Sequence, residues 1–89
     1  MPATAPRIEI YSRSWCSYCA AAKRLLAHKG LPFEETDVEA DPAALPAMIA
    51  RSGGRRSVPQ IFIGGRHVGG SDELHALDRE GRLDVLLAG

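Results

Sequence analysis

Apolar and polar residues change period several times along this 89-residue chain, and each change marks an element. Ile8, Glu9, Ile10 and Tyr11 alternate over a short run, the period of a strand with one face turned inward. Residues 12–16 read as a loop. From Ala20 to Lys29 the apolar spacing lengthens, with Ala22, Leu25 and Leu26 sharing one face and Lys23 and Lys29 lying off it, so this stretch predicts a helix. Gly30 closes it and Pro32 follows. Phe33 to Val38 predicts a second, more acidic strand. Asp41-Pro42 reads as a helix cap followed by a first-turn proline. Pro46, inside that helix, opposes the carbonyl four residues back, so a bent first turn is expected before regular helix over Ala47 to Ser52. Gly53-Gly54 ends it.

Gln60 to Ile63 is a continuous apolar strand, and Gly64-Gly65 supplies the positive φ of a two-residue hairpin turn. Arg66 to Val68 returns, and Gly69-Gly70 breaks the strand. Ser71 is then expected to cap a helix with Asp72 and Glu73 in its first turn, running to about Arg79 and stopping at Gly81. Leu83 to Leu87 suggests a last short helix. The resulting order is β-α-β-α-β-β-α. Two strands joined through a helix are parallel, and the final hairpin is antiparallel. The expected architecture is an α/β layer structure: a four-stranded mixed sheet with helices on both faces.

The totals narrow the function. A chain of 89 residues fits one domain, 1–89, with one core. Eleven basic and eleven acidic side chains give zero formal charge, which offers no attraction to nucleic acid or to an anionic membrane. No apolar run approaches the ~20 residues that span a bilayer. Met1 to Arg7 lacks the apolar core of a secretory leader, so a cytoplasmic protein is expected.

Both cysteines, Cys16 and Cys19, lie in Ser14-Trp15-Cys16-Ser17-Tyr18-Cys19. A disulfide across so short a loop stabilises little, so the pair points to redox chemistry or metal binding. Zinc commonly takes a second cysteine pair or two histidines, whereas His28, His67 and His75 are scattered. Placement weighs further. Thiolate is the reactive form, and a free cysteine with a pKa of ~8.5 is mostly protonated at neutral pH. The first cysteine sits where a strand passes into a helix, and the unpaired N–H groups and dipole there favour an anion. Cys16 is thus the expected nucleophile and Cys19, about a turn further on and more buried, the resolving thiol. Arg13 and Lys23 are basic groups that would favour the thiolate further.

Two other segments admit a substrate. Ser57-Val58-Pro59 precedes the apolar strand; a cis X-Pro bond there would turn the Val58 backbone outward to pair with an extended ligand, although a plain turn fits the same residues. Gly69-Gly70-Ser71-Asp72 allows close backbone approach, offers helix-start N–H groups to a carboxylate and, in Asp72, a partner for an ammonium. These features suit the amino-acid end of a γ-glutamyl group; alone they also describe an ordinary capped helix.

Taken together, Tyr11 to Cys19, Arg51-Ser52-Gly53, Ser57-Val58-Pro59-Gln60-Ile61-Phe62-Ile63 and Gly69-Gly70-Ser71-Asp72-Glu73-Leu74 resemble the dithiol glutaredoxins, bacterial class I members included, in order and spacing. The resemblance covers Ile8 to about Leu87. It implies the thioredoxin fold, glutathione as co-substrate, and glutathionylated or disulfide-containing proteins as partners. It implies that Cys16 attacks a mixed disulfide and Cys19 resolves it. Tyr18 would line the glutathione groove, and Arg13 would meet a glutathione carboxylate, with Arg56 adding a contact to the other one. Val58 would pair with the cysteinyl part beside a cis Pro59, and Gly70, Ser71 and Asp72 would hold the γ-glutamyl group. One departure matters: the commoner motif has proline where this chain has Ser17. Some relatives without that proline bind a [2Fe–2S] cluster between two subunits through the nucleophilic cysteine and glutathione. The alternative function is therefore a cluster-binding dimer with Cys16 as ligand; without a cluster a monomer is expected. A redoxin reduced by thioredoxin reductase is the remaining rival, disfavoured by Arg13, Tyr18 and Gly69 to Asp72.

Overall fold

A computed structural model describes residues 6–88. Most of Met1 to Arg7, on which the leader expectation rested, lies outside the described residues. The elements are β1 (Ile8–Ser12), α1 (Ser17–His28), β2 (Glu34–Asp37), α2 (Ala44–Arg51), β3 (Gln60–Ile63), β4 (Arg66–Gly69), α3 (Ser71–Arg79) and α4 (Arg82–Leu87). The sheet order is β2-β1-β3-β4. β1 runs parallel to β2 and antiparallel to β3, and β3 and β4 form the antiparallel hairpin. Gly64 and Gly65 both take positive φ, 59° and 80°, as a two-residue hairpin turn requires.

Side-chain alternation along the strands divides the core. Ile8, Ile10, Ile61 and Ile63 point to one face, where Ala22 and Leu26 of α1, Leu74 of α3 and Leu83 of α4 cover them. Tyr11 and Phe62 point to the other face, under Ala44 and Met48 of α2. Their rings meet edge to face with centroids 5.8 Å apart. Helices therefore lie on both faces, as the sequence pattern predicts. No helix among the described residues is long and apolar enough to cross a membrane.

Three helix starts differ from the sequence reading. Helix α1 begins at Ser17, ahead of the Ala20 run, because Cys16 caps it with sulfur. Helix α2 shows no separate bent turn before Ala47; it begins at Ala44 and contains Pro46 as its third residue. The N–H that proline lacks is one of the first four, which have no intrahelical acceptor, so nothing is lost. Asp41 stays outside the helix and accepts the Ala43 N–H on its carboxylate at 3.0 Å. At α3 the cap is Gly70, not Ser71, which becomes the first helical residue. Glu73 reaches back to accept the Gly70 N–H at 2.6 Å, the acidic half of a capping box.

Candidate active site

The C-terminal end of β1 delivers the chain to the head of α1, and the loop between them carries the cysteines. Cys16 is the cap residue, extended at φ −111° and ψ 110°. Its partly exposed Sγ accepts the Cys19 N–H at 3.2 Å and lies 3.9 Å from the Val58 carbonyl oxygen. A thiolate at this point faces the unpaired N–H groups of the first turn and the positive end of the helix dipole. Cys19 is only 1% exposed, on the same inward face as Ala22 and Leu26. Burial, followed by the hydrogen bond with Cys16, pushes its thiol pKa up to about 11. The Arg13 backbone N–H and the Lys23 ammonium act in the opposite direction. Both thiols are free.

Lys23 is committed elsewhere. Its Nζ lies 2.8 Å from Glu35 Oε2, and the same carboxylate oxygen accepts the hydroxyl of the buried Ser12. The hydrogen bond to Glu35 holds the Lys23 proton more firmly than usual. Lys23 and then Ser12 hold Glu35 below the ordinary carboxylate range.

Beside the cysteine loop lies a cleft of about 190 Å³. It brings together Tyr18, Val58, Pro59, Gly70, Ser71 and Asp72, all six anticipated from sequence. Arg55, Ser57 and Glu73 complete the wall. The Val58-Pro59 peptide bond is cis. The glycine pair lets the start of α3 approach Pro59: a Cβ on Gly70 would come within 3.3 Å of the Pro59 carbonyl oxygen. A Cβ on Gly69, whose φ is +125°, would come within 2.5 Å of the Glu73 carboxylate. In the first turn of α3 the Ser71 and Asp72 N–H groups have no intrahelical acceptor and are available to an anion.

Arg13 does not line this cleft. It borders a second depression with Trp15, Cys16, Ser17, Ala20 and Lys23. Arg56 lines neither; the neighbouring Arg55 does, paired with Glu73 at 3.2 Å. That pairing joins residues 18 apart, and beyond the bare presence of the two charges no local sequence signal marks it.

Two thiols of unequal burial at the head of a helix, beside a cleft on a thioredoxin-like sheet, define the class of thiol–disulfide oxidoreductases. Within that class the chain belongs to the glutaredoxin family. The family model described as Glutaredoxin matches residues 8–68. A glutaredoxin of Pseudomonas aeruginosa is 51% identical over 83 residues, covering 93% of this chain and 98% of that protein. The solution structure of glutaredoxin from Brucella melitensis superposes with a TM-score of 0.83 at 52% identity, covering 98% of this chain and 94% of that one. The crystal structure of a buckwheat glutaredoxin–glutathione complex gives a TM-score of 0.84 at 29% identity, covering 93% of this chain and 77% of that one.

Proposed function

We propose that this chain reduces glutathione mixed disulfides and protein disulfides, with glutathione as co-substrate. The unequal surroundings of the two thiols carry the reading: Cys16 is accessible and capped by backbone N–H, while Cys19 is buried within reach of it. The Cys16 thiolate attacks the glutathione sulfur of a mixed disulfide. That S–S bond breaks, the protein leaves as a thiolate that takes up a proton, and Cys16 becomes bonded to glutathione. A second glutathione thiolate then attacks the bound glutathione sulfur, giving glutathione disulfide and restoring the Cys16 thiolate. Alternatively Cys19, losing its proton, attacks Cys16 Sγ; glutathione leaves, and two further glutathione molecules reduce the Cys16–Cys19 disulfide.

In this reading the 190 Å³ cleft holds glutathione in line with Cys16. The γ-glutamyl carboxylate meets the N–H groups of Ser71 and Asp72, beside Gly70, and its ammonium meets the Asp72 carboxylate. The Val58 backbone pairs with the cysteinyl part as a short strand would. The Tyr18 ring and Pro59 form the walls. Arg13 borders the depression that Cys16 lines and adds positive charge beside the thiolate rather than a wall of the cleft. A reducing cytoplasm supplies the glutathione this cycle consumes.

A coupled assay with glutathione and glutathione reductase, on the mixed disulfide of glutathione and β-mercaptoethanol, tests the reading. Cys16→Ser should abolish turnover. Cys19→Ser should keep it on this small substrate and lose it on a protein disulfide. Substantial turnover by Cys16→Ser would overturn the assignment. For a [2Fe–2S] cluster, the accessible Cys16 fits as a thiolate ligand, but the described residues hold no group of three or more His, Cys, Asp or Glu side chains able to bind a metal. A cluster would need Cys16 from two copies, with glutathione supplying the remaining thiolates. Anaerobic reconstitution with glutathione, read by absorption and by dimerisation, tests that second role.

A further inference from the structure

Trp15, the residue before the nucleophile, has two costs that nothing among the described residues offsets. Its φ is +58°, in the left-handed region that residues with a Cβ avoid and glycine enters freely. No other described residue besides glycine has a positive φ. Its side chain is also fully exposed, more so than any other large apolar side chain among the described residues. A strained backbone that presents a bare indole next to the reacting sulfur points to a use outside the isolated chain.

The surroundings indicate what that use is. Ser17 and Tyr18 are consecutive, yet Tyr18 lines the cleft while Ser17 lines the second depression. The first turn of α1 thus divides the cleft from a depression that Cys16 itself lines, with its Sγ 3.9 Å from the carbonyl oxygen of the cleft residue Val58. A mixed disulfide has two halves, and the cleft of about 190 Å³ accommodates only the smaller. The other half is a polypeptide, and the depression that Cys16 itself lines is left for it. Arg13 and Lys23 border that depression and no carboxylate among the described residues does; Lys23 is paired with Glu35, so Arg13 is the cation available there.

We propose that Trp15 and the depression bordered by Arg13 form the docking surface for the polypeptide half of the disulfide substrate, taking an extended segment with an acidic residue close to its cysteine. The indole packs on the segment as an aromatic anchor, the kind of residue that dominates interface energetics. Arg13 meets the acidic side chain. The proposal rests on the oxidoreductase reading and adds to it a preference among protein substrates.

The test compares three disulfides: glutathione with β-mercaptoethanol, a glutathionylated peptide with Asp and Glu beside its cysteine, and the same peptide with Lys in their place. Trp15→Gly relieves the φ strain, so its melting temperature should match or exceed the wild type. It should lower kcat/KM on the acidic peptide by about tenfold and leave the small disulfide unchanged. Trp15→Phe should restore most of the loss. Arg13→Gln should bring the acidic and basic peptides towards parity. Trp15 is the sole tryptophan, so docking can also be read directly. In Cys16→Ser, which cannot cleave the disulfide, Trp15 emission should shift to the blue on adding the acidic glutathionylated peptide and not on adding glutathione disulfide alone. Equal losses by Trp15→Gly on all three disulfides, or none on any, would overturn the proposal, as would an emission unchanged by the peptide. Failure of the wild type to turn over the small disulfide would instead bring down the oxidoreductase reading, and this proposal with it.

Discussion

The buried Cys19 thiol should make the folded protein lose stability in alkali, by an amount that follows from its surroundings. Its pKa rises well above that of a free thiol, to about 11, first through burial and then through the hydrogen bond with Cys16. The gap is worth about 3 kcal/mol of preference for the neutral thiol. The fold binds this proton more tightly than the unfolded chain does. The stabilisation is therefore whole below the unfolded pKa and is lost as pH rises through about 11. Lysines and tyrosines titrate over the same range, so the informative quantity is a difference. Reduced wild type and Cys19→Ala should be unfolded in urea at several pH values between about 8 and 11, with circular dichroism as the readout. The wild-type advantage should shrink across this window by up to about 3 kcal/mol. In a Cys16→Ala background the hydrogen bond and charge that help raise the pKa are gone, so thiolate absorbance should place the Cys19 titration lower than in the wild type. Parallel stability curves for wild type and Cys19→Ala would refute the reasoning, as would an equal or higher Cys19 titration in Cys16→Ala.

Gly69→Ala should lower the melting temperature by roughly 10 °C, from about 2 kcal/mol of combined φ strain and overlap with the Glu73 carboxylate; adding Glu73→Ala should recover the overlap but not the strain, which calorimetry on both variants checks. Arg51 binds both oxygens of Glu9 at 3.1 and 3.0 Å, donates to Tyr11 Oη at 3.0 Å and lies 4.1 Å over the Phe62 ring. Arg51→Lys keeps the charge and loses the planar fork, so it should cost about 1 kcal/mol at neutral pH. Arg51 holds Glu9 below the ordinary carboxylate range, so this contribution is present above the unfolded pKa of about 4.3 and lost as pH falls. The gap between wild type and Arg51→Lys should therefore close in acid, as denaturation at pH about 7 and about 3 will show.

The strands were legible because each carries its own period. Ile8 and Ile10 point to one face and Tyr11 to the other, and Gly64-Gly65 permits only a tight turn between β3 and β4. Helix starts were less legible, because capping depends on groups that composition does not rank. Cysteine is not a usual cap, yet the Cys16 sulfur accepts an N–H as a serine oxygen would. Pro46 would break a helix interior but not the third position of α2, where the N–H it lacks has no acceptor to lose. Six wall residues of the cleft lay within recognisable motifs. The exchange of Arg56 for Arg55 depended on how the aperiodic loop before β3 meets the start of α3, and the separation of Arg13 from the cleft on how the β1–α1 loop turns.

The three-residue spacing of the cysteines has a physical reading more specific than a redox signature. A capping side chain accepts the N–H of the second or third helical residue. With Cys16 as cap, Cys19 is the third, so the first sulfur receives the second cysteine's own N–H. The same count fixes burial, because Cys19, Ala22 and Leu26 follow one another at intervals of three and four and form the inward stripe of α1. A spacing one residue longer would take the second thiol off that stripe and beyond the N–H the cap engages. The two sulfurs thus differ because one helical period places the first at the dipole's end, in contact with solvent, and the second in the core. A chemically symmetric pair becomes an attacking and a resolving thiol through the geometry of a single turn. What the spacing leaves open is which disulfide arrives, and that is decided on the other side of Cys16, where Trp15 and Arg13 stand.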